Sequence, residues 1–144
     1  MYFKGVKERQ VFEEWIERSR AKKHVEQELY RLKRYGSPIT IGIYRCADSC
    51  FEDKFYIYSR RTDHLIPLAE HHFMILFGHT EISGAVKAVE NLMIYMEPEE
   101  KERVALTQLR EDDGIEDGLK RVLTLFVLAC RGEDSIVDDS YLGR

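Results

Sequence analysis

The chain has 144 residues, of which 44% are hydrophobic and 33% are charged. This balance is typical of one soluble globular domain, and it excludes a disordered acidic chain and a collagen-like chain. The net charge of −4 gives no general attraction to nucleic acid or to an anionic membrane surface, so we expect no nucleic-acid partner. No apolar run approaches the roughly 18 residues that a membrane span needs.

The N-terminus and the cysteine content together indicate a compartment. The first residues contain no apolar core followed by a small-residue cleavage site, so we expect no secretory signal. Three cysteines cannot all pair with one another, and a reducing compartment keeps thiols free. We therefore expect a cytoplasmic protein with free thiols at Cys46, Cys50 and Cys130.

The first predicted elements are helical and are followed by a strand. Apolar residues recur at helical spacing over residues 11–35, which predicts one long amphipathic helix or two helices with a break near Ser19. We expect Gly36 to end this region as a left-handed cap. Residues 39–44 are β-branched, aromatic and nearly all apolar, which is typical of a strand buried on both faces of a sheet.

The rest of the chain predicts six further elements. In order, they are a short helix over 51–59, strands over 64–68 and 73–77 joined as a hairpin, a helix over 81–96, a strand over 104–109 and a helix over 115–130. We expect Asp48 or Ser49 to cap the first of these helices, Thr80 to cap the second, and Tyr58 to lie on the buried face of the first. The acidic tail after Arg131 is expected to be loose or docked on a partner.

This order of elements predicts the fold class. It gives an α+β domain with a βαββαβ core, ferredoxin-like or palm-like, in which helices cover one face of an antiparallel sheet. We divide the chain into an N-terminal helical extension (1–25), the core domain (26–131) and the acidic tail (132–144). Many functions use this scaffold, so the fold alone does not assign one.

Five segments share their order and spacing with one known family. They are KRYGSP at 33–38, RRTD at 60–63, AEHHF at 69–73, the strand at 104–109 and the helix at 115–129. Together they resemble the GGDEF domain, the catalytic domain of diguanylate cyclases, over about residues 26–130. The family condenses two GTP molecules with the help of metal ions.

The positions that the resemblance assigns to metal and nucleotide carry other residue types. The first-strand aspartates fall on Arg45 and Ala47, the signature glycines on Ala69 and Glu70, the signature acids on His71 and His72, and the signature phenylalanine on Phe73. Mg²⁺ requires hard carboxylate ligands, and glycine lets the backbone approach a nucleotide. The resemblance therefore implies a degenerate GGDEF domain without cyclase activity, for which we expect no cofactor and no bound metal.

The Arg-x-x-Asp segment matches the inhibitory site of the family, which binds cyclic di-GMP. The resemblance assigns this ligand to Arg60 and Asp63, with Lys87 on the following helix where the family has an arginine. Arginine can donate to a phosphate or to the guanine edge, and a carboxylate can accept from guanine. The same residues can equally form an ion pair that closes a turn, at a gain of about 0–1 kcal/mol.

Two other groups of residues could carry chemistry. Histidines 64, 71, 72 and 79 lie around the predicted hairpin and could bind a transition metal, but adjacent strand residues point to opposite faces. Cys46 or Cys50 could pair with one of these histidines as a nucleophile, although nothing in the sequence places them together. Exposed turn histidines and buried cysteines are the simpler interpretation.

The N-terminal helix is a candidate interaction surface. Its apolar residues Phe12, Trp15 and Ile16 either fold back on the domain or pair with a second copy or another protein. We interpret the chain as an inactive GGDEF-like domain of a bacterial signalling system that acts as a protein-interaction module, with cyclic di-GMP as a candidate ligand. The alternatives are a dimerisation or scaffold module without nucleotide contact, and a small-ligand or metal binder that uses the histidine-rich hairpin.

Overall fold

The computed structural model describes residues 6–98 and 100–143 as helices, strands and their connections. In chain order the elements are α1 (Val6–Arg18), α2 (Ala21–Tyr35), β1 (Ile39–Arg45), α3 (Phe51–Tyr58), β2 (Asp63–Ala69), β3 (His72–Gly78), α4 (Ile82–Tyr95), β4 (Arg103–Gln108), α5 (Ile115–Arg131), β5 (Ile136–Val137) and a 3₁₀ turn (Asp139–Gly143). In the described ranges, no helix is both long and apolar enough to cross a membrane. The predicted α+β class and βαββαβ order are confirmed.

The five strands form one sheet in the order β2-β3-β1-β4-β5. Strands β2, β3, β1 and β4 pair antiparallel, as predicted, whereas β5 runs parallel to β4. The sheet is therefore mixed, because a short segment of the C-terminal tail adds a fifth strand. Strand β1 lies at the centre, and its residues are buried from Ile39 to Tyr44, as its apolar sequence predicts.

Helices cover both faces of the sheet, so the expectation of helices on one face is wrong. Helices α1, α2 and α5 pack on the face that carries Ile41 and Ile43, and we call it the α5 face. Helices α3 and α4 pack on the opposite face, which carries Tyr44 and Ile75. Residues Phe73 to Phe77 of β3 are all buried, and a strand with consecutive apolar residues needs cover on both sides.

The N-terminal helical region breaks between α1 and α2, as one of the two alternatives predicted. The Ser19 hydroxyl donates to the Ile16 carbonyl (2.9 Å) and accepts from the backbone N–H of Ala21 (3.1 Å). The break lets α1 turn back onto the α5 face, where the Phe12 and Phe126 rings lie 5.0 Å apart. Phe12 and Ile16 are buried in the domain's own core, which corrects their prediction as an interaction surface.

The C-terminal tail is docked on the domain itself, so its prediction as loose or partner-bound is wrong. Asp139 accepts hydrogen bonds from the Thr107 hydroxyl (2.5 Å) and from the backbone N–H of Gln108 (3.2 Å). The largely buried guanidinium of Arg121, which is 11% exposed, donates to both oxygens of Asp113 (3.0 and 2.8 Å) and to the Gln108 carbonyl (3.0 Å). These bonds join β4, α5 and the tail at one end of the sheet.

The predicted caps are placed differently in the structure. Cys50 and Glu81 occupy the N-cap positions of α3 and α4, and neither makes a side-chain cap hydrogen bond. Asp48 instead accepts from the Cys50 backbone N–H (2.8 Å), and Thr80 donates to the Gly78 carbonyl (2.6 Å). Gly36 ends α2 at φ 70°, as predicted.

Candidate functional site

The end of β1 and the β2–β3 hairpin bring together two of the residues that the sequence singles out. Arg45 is the Cα partner of His72 on β3, and both side chains lie on the α5 face. His71 lies in the hairpin turn at φ 62°, where its imidazole is 3.6 Å from the Glu70 carboxylate. The two adjacent histidines thus occupy different environments, one in the turn and one against the core.

Helix α1 covers His72. The Trp15 ring lies 4.6 Å from the imidazole, and Phe126 of α5 contacts it edge-on at 6.1 Å. The His72 Nδ1 atom is 2.7 Å from the Glu70 carbonyl. Burial lowers the pKa of His72, and the nearby Arg45 charge lowers it further. The imidazole is therefore neutral at pH 7, and it is packed at the edge of the core.

A buried polar cluster lies at the same end of β1 on the opposite face. The Tyr44 hydroxyl donates to the Glu102 carboxylate, and Cys46 is buried beside them. Burial raises the pKa of the Cys46 thiol to about 12, and it raises the pKa of Glu102 despite the hydrogen bond from Tyr44. A thiol with such a pKa is a poor nucleophile at neutral pH. Sequence analysis missed this cluster, because Tyr44 and Glu102 are 58 residues apart.

A cleft of about 400 Å³ lies between the start of α3 and the hairpin. Its lining residues are Asp48, Ser49, Phe51, Glu52, Asp53, Ala69, Glu70, His71 and Phe73. The lining includes four carboxylates and no lysine or arginine, so it repels phosphate groups. Asp48 is already engaged, since it accepts from Lys54 Nζ (2.6 Å) and from the Glu97 backbone N–H (2.7 Å).

Arg60 and Asp63 form an ion pair in the turn between α3 and β2. The Arg60 guanidinium donates to Asp63 Oδ1 (2.8 Å) and to Thr80 Oγ1 (3.0 Å), and the Arg60 backbone N–H donates to Asp63 Oδ2 (3.0 Å). The Asp63 side chain is 1% exposed, whereas that of Arg60 is 44% exposed. Lys87 is exposed on α4. The carboxylate thus faces the protein, and only part of the guanidinium faces solvent.

An exposed apolar surface lies on α3 and α4, and we call it the α3–α4 patch. It consists of Tyr56, Ile57, Tyr58, Ile94 and Tyr95. The rings of Tyr58 and Tyr95 stack with centroids 3.6 Å apart, which joins the two helices. Tyr58, expected on the buried face of α3, is 39% exposed. The sequence did not reveal this patch. Helix α3 has only 8 residues, so the spacing of its apolar residues does not distinguish its buried face from its exposed face.

Known proteins resemble the chain in structure rather than in sequence. No family model and no curated protein matches it. A microbial GGDEF domain, studied for its interaction with bis-(3′,5′)-cyclic di-GMP, superposes at a TM-score of 0.71 and 12% identity over 82% of this chain and 90% of that one. The active GGEEF domain of a diguanylate cyclase from Vibrio cholerae gives 0.69 and 13% over 81% and 92%.

The same fold occurs in a larger protein. The diguanylate cyclase SiaD from Pseudomonas aeruginosa, solved in complex with its activator SiaC, matches at a TM-score of 0.65 and 15% identity over 81% of this chain. The match spans 55% of the SiaD chain. The chain has a GGDEF-like fold. At these identities the likeness establishes the fold and leaves activity to be judged from the residues.

The residues of this GGDEF-like domain do not fit a Mg²⁺ centre at the positions that the resemblance assigns to metal. Arg45 supplies a cation instead of a carboxylate, and His72 is packed under Trp15. Over the part of the chain that the structure describes, no group of three or more His, Cys, Asp or Glu side chains could hold a metal ion. Because Mg²⁺ prefers oxygen ligands, an arginine and a packed histidine at these positions do not suit it.

The raised pKa of Glu102 predicts a pH-dependent stability. The folded state holds this proton more tightly than the unfolded chain, where the pKa is about 4.3. The stabilising contribution is therefore complete below about pH 4 and is lost as the pH rises through the folded pKa. Relative to Glu102→Gln, which cannot ionise, the wild type should lose stability as the pH rises from about 4 through the raised folded-state pKa of Glu102.

Urea unfolding at several pH values measures this difference. The exposed Glu111→Gln variant is the matched control, and its stability should follow that of the wild type at every pH. A Glu102→Gln variant whose pH profile runs parallel to the wild type would contradict the raised pKa.

Proposed function

We propose that the chain is a catalytically inactive GGDEF-like signalling domain that acts as a protein-interaction module. The observation that carries the proposal is the pair of residues at the end of β1, where Arg45 faces His72 and neither can serve as a ligand for Mg²⁺. The adjacent cleft supports the same conclusion, because it offers no lysine or arginine to a triphosphate, and no three of its described acidic or histidine side chains could hold a metal ion together. Free thiols at all three cysteines agree with the proposed cytoplasmic location.

The purified protein, incubated with GTP and Mg²⁺, should form no cyclic di-GMP. The reason is the absence of carboxylate ligands at Arg45 and His72, which leaves the metal-dependent step without its metal. Product is measured by liquid chromatography, with an active diguanylate cyclase domain as the positive control. Trp15→Ala, which uncovers His72, should be equally inactive. Product above the no-enzyme level from either protein would overturn the proposal.

The α3–α4 patch is the contact surface that the proposal assigns, and a second copy of this chain is its partner. Ile57 is 69% exposed and Ile94 is 74% exposed, which is unusual for large aliphatic side chains at neighbouring positions. The five side chains of the patch carry no charge, so they offer nothing for a charged partner to recognise. A two-fold axis through the patch would place apolar surface against apolar surface, as an isologous interface requires.

Analytical ultracentrifugation tests the dimer. The wild type should sediment as a dimer, and the double variant Ile57→Glu/Ile94→Glu should sediment as a folded monomer, because charge at the centre of an apolar interface is unpaired and desolvated. Tyr30→Glu is the matched control, since Tyr30 is 61% exposed on α2 and lies outside the patch. A monomeric wild type, or a variant that still dimerises, would exclude this interface.

Cyclic di-GMP is the second candidate partner, favoured by the solvent-facing part of Arg60 and by exposed Lys87. Among proteins of similar fold, the GGDEF domain of DgcB from Caulobacter crescentus was solved in complex with this ligand, and the microbial domain above interacts with it. Asp63 would take part only if its buried carboxylate exchanged Arg60 for guanine. The ion pair as it stands is complete without a ligand, which favours the scaffold without nucleotide contact.

Calorimetric titration with cyclic di-GMP separates these two cases. If the ligand binds at this site, Arg60→Ala should weaken binding about tenfold or more, as expected for the loss of a charge-assisted hydrogen bond, and Lys87→Ala should weaken it less. Arg61→Ala, an exposed neighbour, is the control and should bind as the wild type does. If titration of the wild type produces no heat, cyclic di-GMP is excluded as a ligand, and the dimer module without nucleotide contact remains as the proposed function.

A further inference from the structure

Three cationic side chains meet at one end of the sheet. Arg45 of β1 and Arg103 of β4 are direct Cα partners, so their side chains leave the same face of neighbouring strands. Lys101 precedes β4, and its carbonyl accepts from Arg45 Nη2 at 3.4 Å. Like charges directly opposite each other on neighbouring strands destabilise a sheet. A negatively charged group beside these three residues would therefore stabilise the sheet.

Within the described part of the chain, these three side chains bond to backbone carbonyl groups. Arg103 Nη1 donates to the carbonyls of Glu133 (3.3 Å) and Asp134 (3.4 Å), and the Lys101 ammonium donates to the Glu133 carbonyl. Across residues 6–98 and 100–143, the ion pairs within 4.0 Å include neither Arg45, Lys101 nor Arg103. Their bonds are thus to neutral carbonyl oxygens, and the three distances given for Arg45 and Arg103 are all long, at 3.3–3.4 Å.

Two acids lie in the neighbourhood. Glu8 of α1 is 3.5 Å from Arg131, and its Oε2 atom is buried without a hydrogen-bond partner among the described residues. The Asp134 carboxylate accepts from the Tyr141 hydroxyl. In addition, the Nε atom of Arg103 is buried and has no hydrogen-bond acceptor among the described residues. A buried N–H group without an acceptor costs about 1–3 kcal/mol, so an acceptor from outside the chain would be stabilising there.

We propose that Arg45, Lys101 and Arg103 form a binding site for a phosphate dianion, either free or as the terminal group of a small phosphate monoester. Two guanidinium groups side by side offer several N–H donors in fixed planes, and an ammonium group adds a mobile donor. Arg45 and Arg103 are half-buried and Lys101 is exposed, so the site is open to solvent at Lys101. This site is separate from Arg60 and Asp63, and it does not depend on the proposed dimer.

Calorimetric titration with inorganic phosphate, at constant ionic strength against chloride, tests the proposal. The wild type should bind, and Arg45→Gln and Arg103→Gln should each raise the Kd about tenfold or more, because each removes charge-assisted hydrogen bonds. Lys33→Gln, on the exposed side of α2, is the control and should leave the Kd unchanged.

Thermal unfolding without phosphate distinguishes loss of the site from loss of the fold. Because each variant removes a like-charge contact, it should be at least as stable as the wild type in chloride and should lose the stabilisation that phosphate gives the wild type. A parallel titration with phenyl phosphate separates the two sources: binding identifies a monoester site, and its absence identifies a site for free phosphate. Equal phosphate affinity in wild type and Arg103→Gln, or no heat from the wild type, would overturn the proposal, whatever the cyclase and dimer experiments give.

Discussion

Strand β1 is paired on both edges and buried on both faces, and the rest of the domain is arranged around that constraint. Its edges pair with β3 and β4, and its faces need two separate helical layers. The packing is close enough that a Cβ atom at Gly42 would lie 2.7 Å from Leu106 Cδ2. Arg45 is the first residue of the strand that is not fully buried. The end of β1 is therefore the first position along the strand where a polar side chain can contact solvent or a ligand.

The two faces at that end have opposite electrostatic character. On the α5 face, Arg45 and Arg103 form a cationic row that ends at neutral His72. On the other face, the Tyr44 hydroxyl donates a hydrogen bond to the buried carboxylate of Glu102. A GGDEF-like fold that bound catalytic metal would need carboxylates where the cationic row stands. Cationic side chains at these positions favour an anion over a metal ion, and this preference underlies both the proposed phosphate site and the proposed lack of cyclase activity.

Much of the fold follows from local sequence, and less of the site does. The apolar run of β1, the hairpin at residues 69–72 and the break near Ser19 are local signals, and the structure confirms them. The consecutive apolar residues of β3 imply that helices cover both faces of the sheet. That inference holds only once β3 is known to lie inside the sheet, between β2 and β1. Strand β5 could not be foreseen, because two residues, Ile136 and Val137, gain strand geometry only by pairing with β4.

The position of α1 connects the fold to the choice of interaction surface. By turning back at Ser19, α1 places Phe12 and Ile16 in the core and Trp15 on His72. The sequence suggested α1 as a surface for partner binding. In the structure, α1 instead covers the end of the sheet where Arg45 and His72 lie. Large apolar side chains remain exposed together on α3 and α4, where Tyr58 and Tyr95 hold the two helices in one surface. The covered His72 and the exposed α3–α4 patch therefore both follow from the way the helices are arranged around β1.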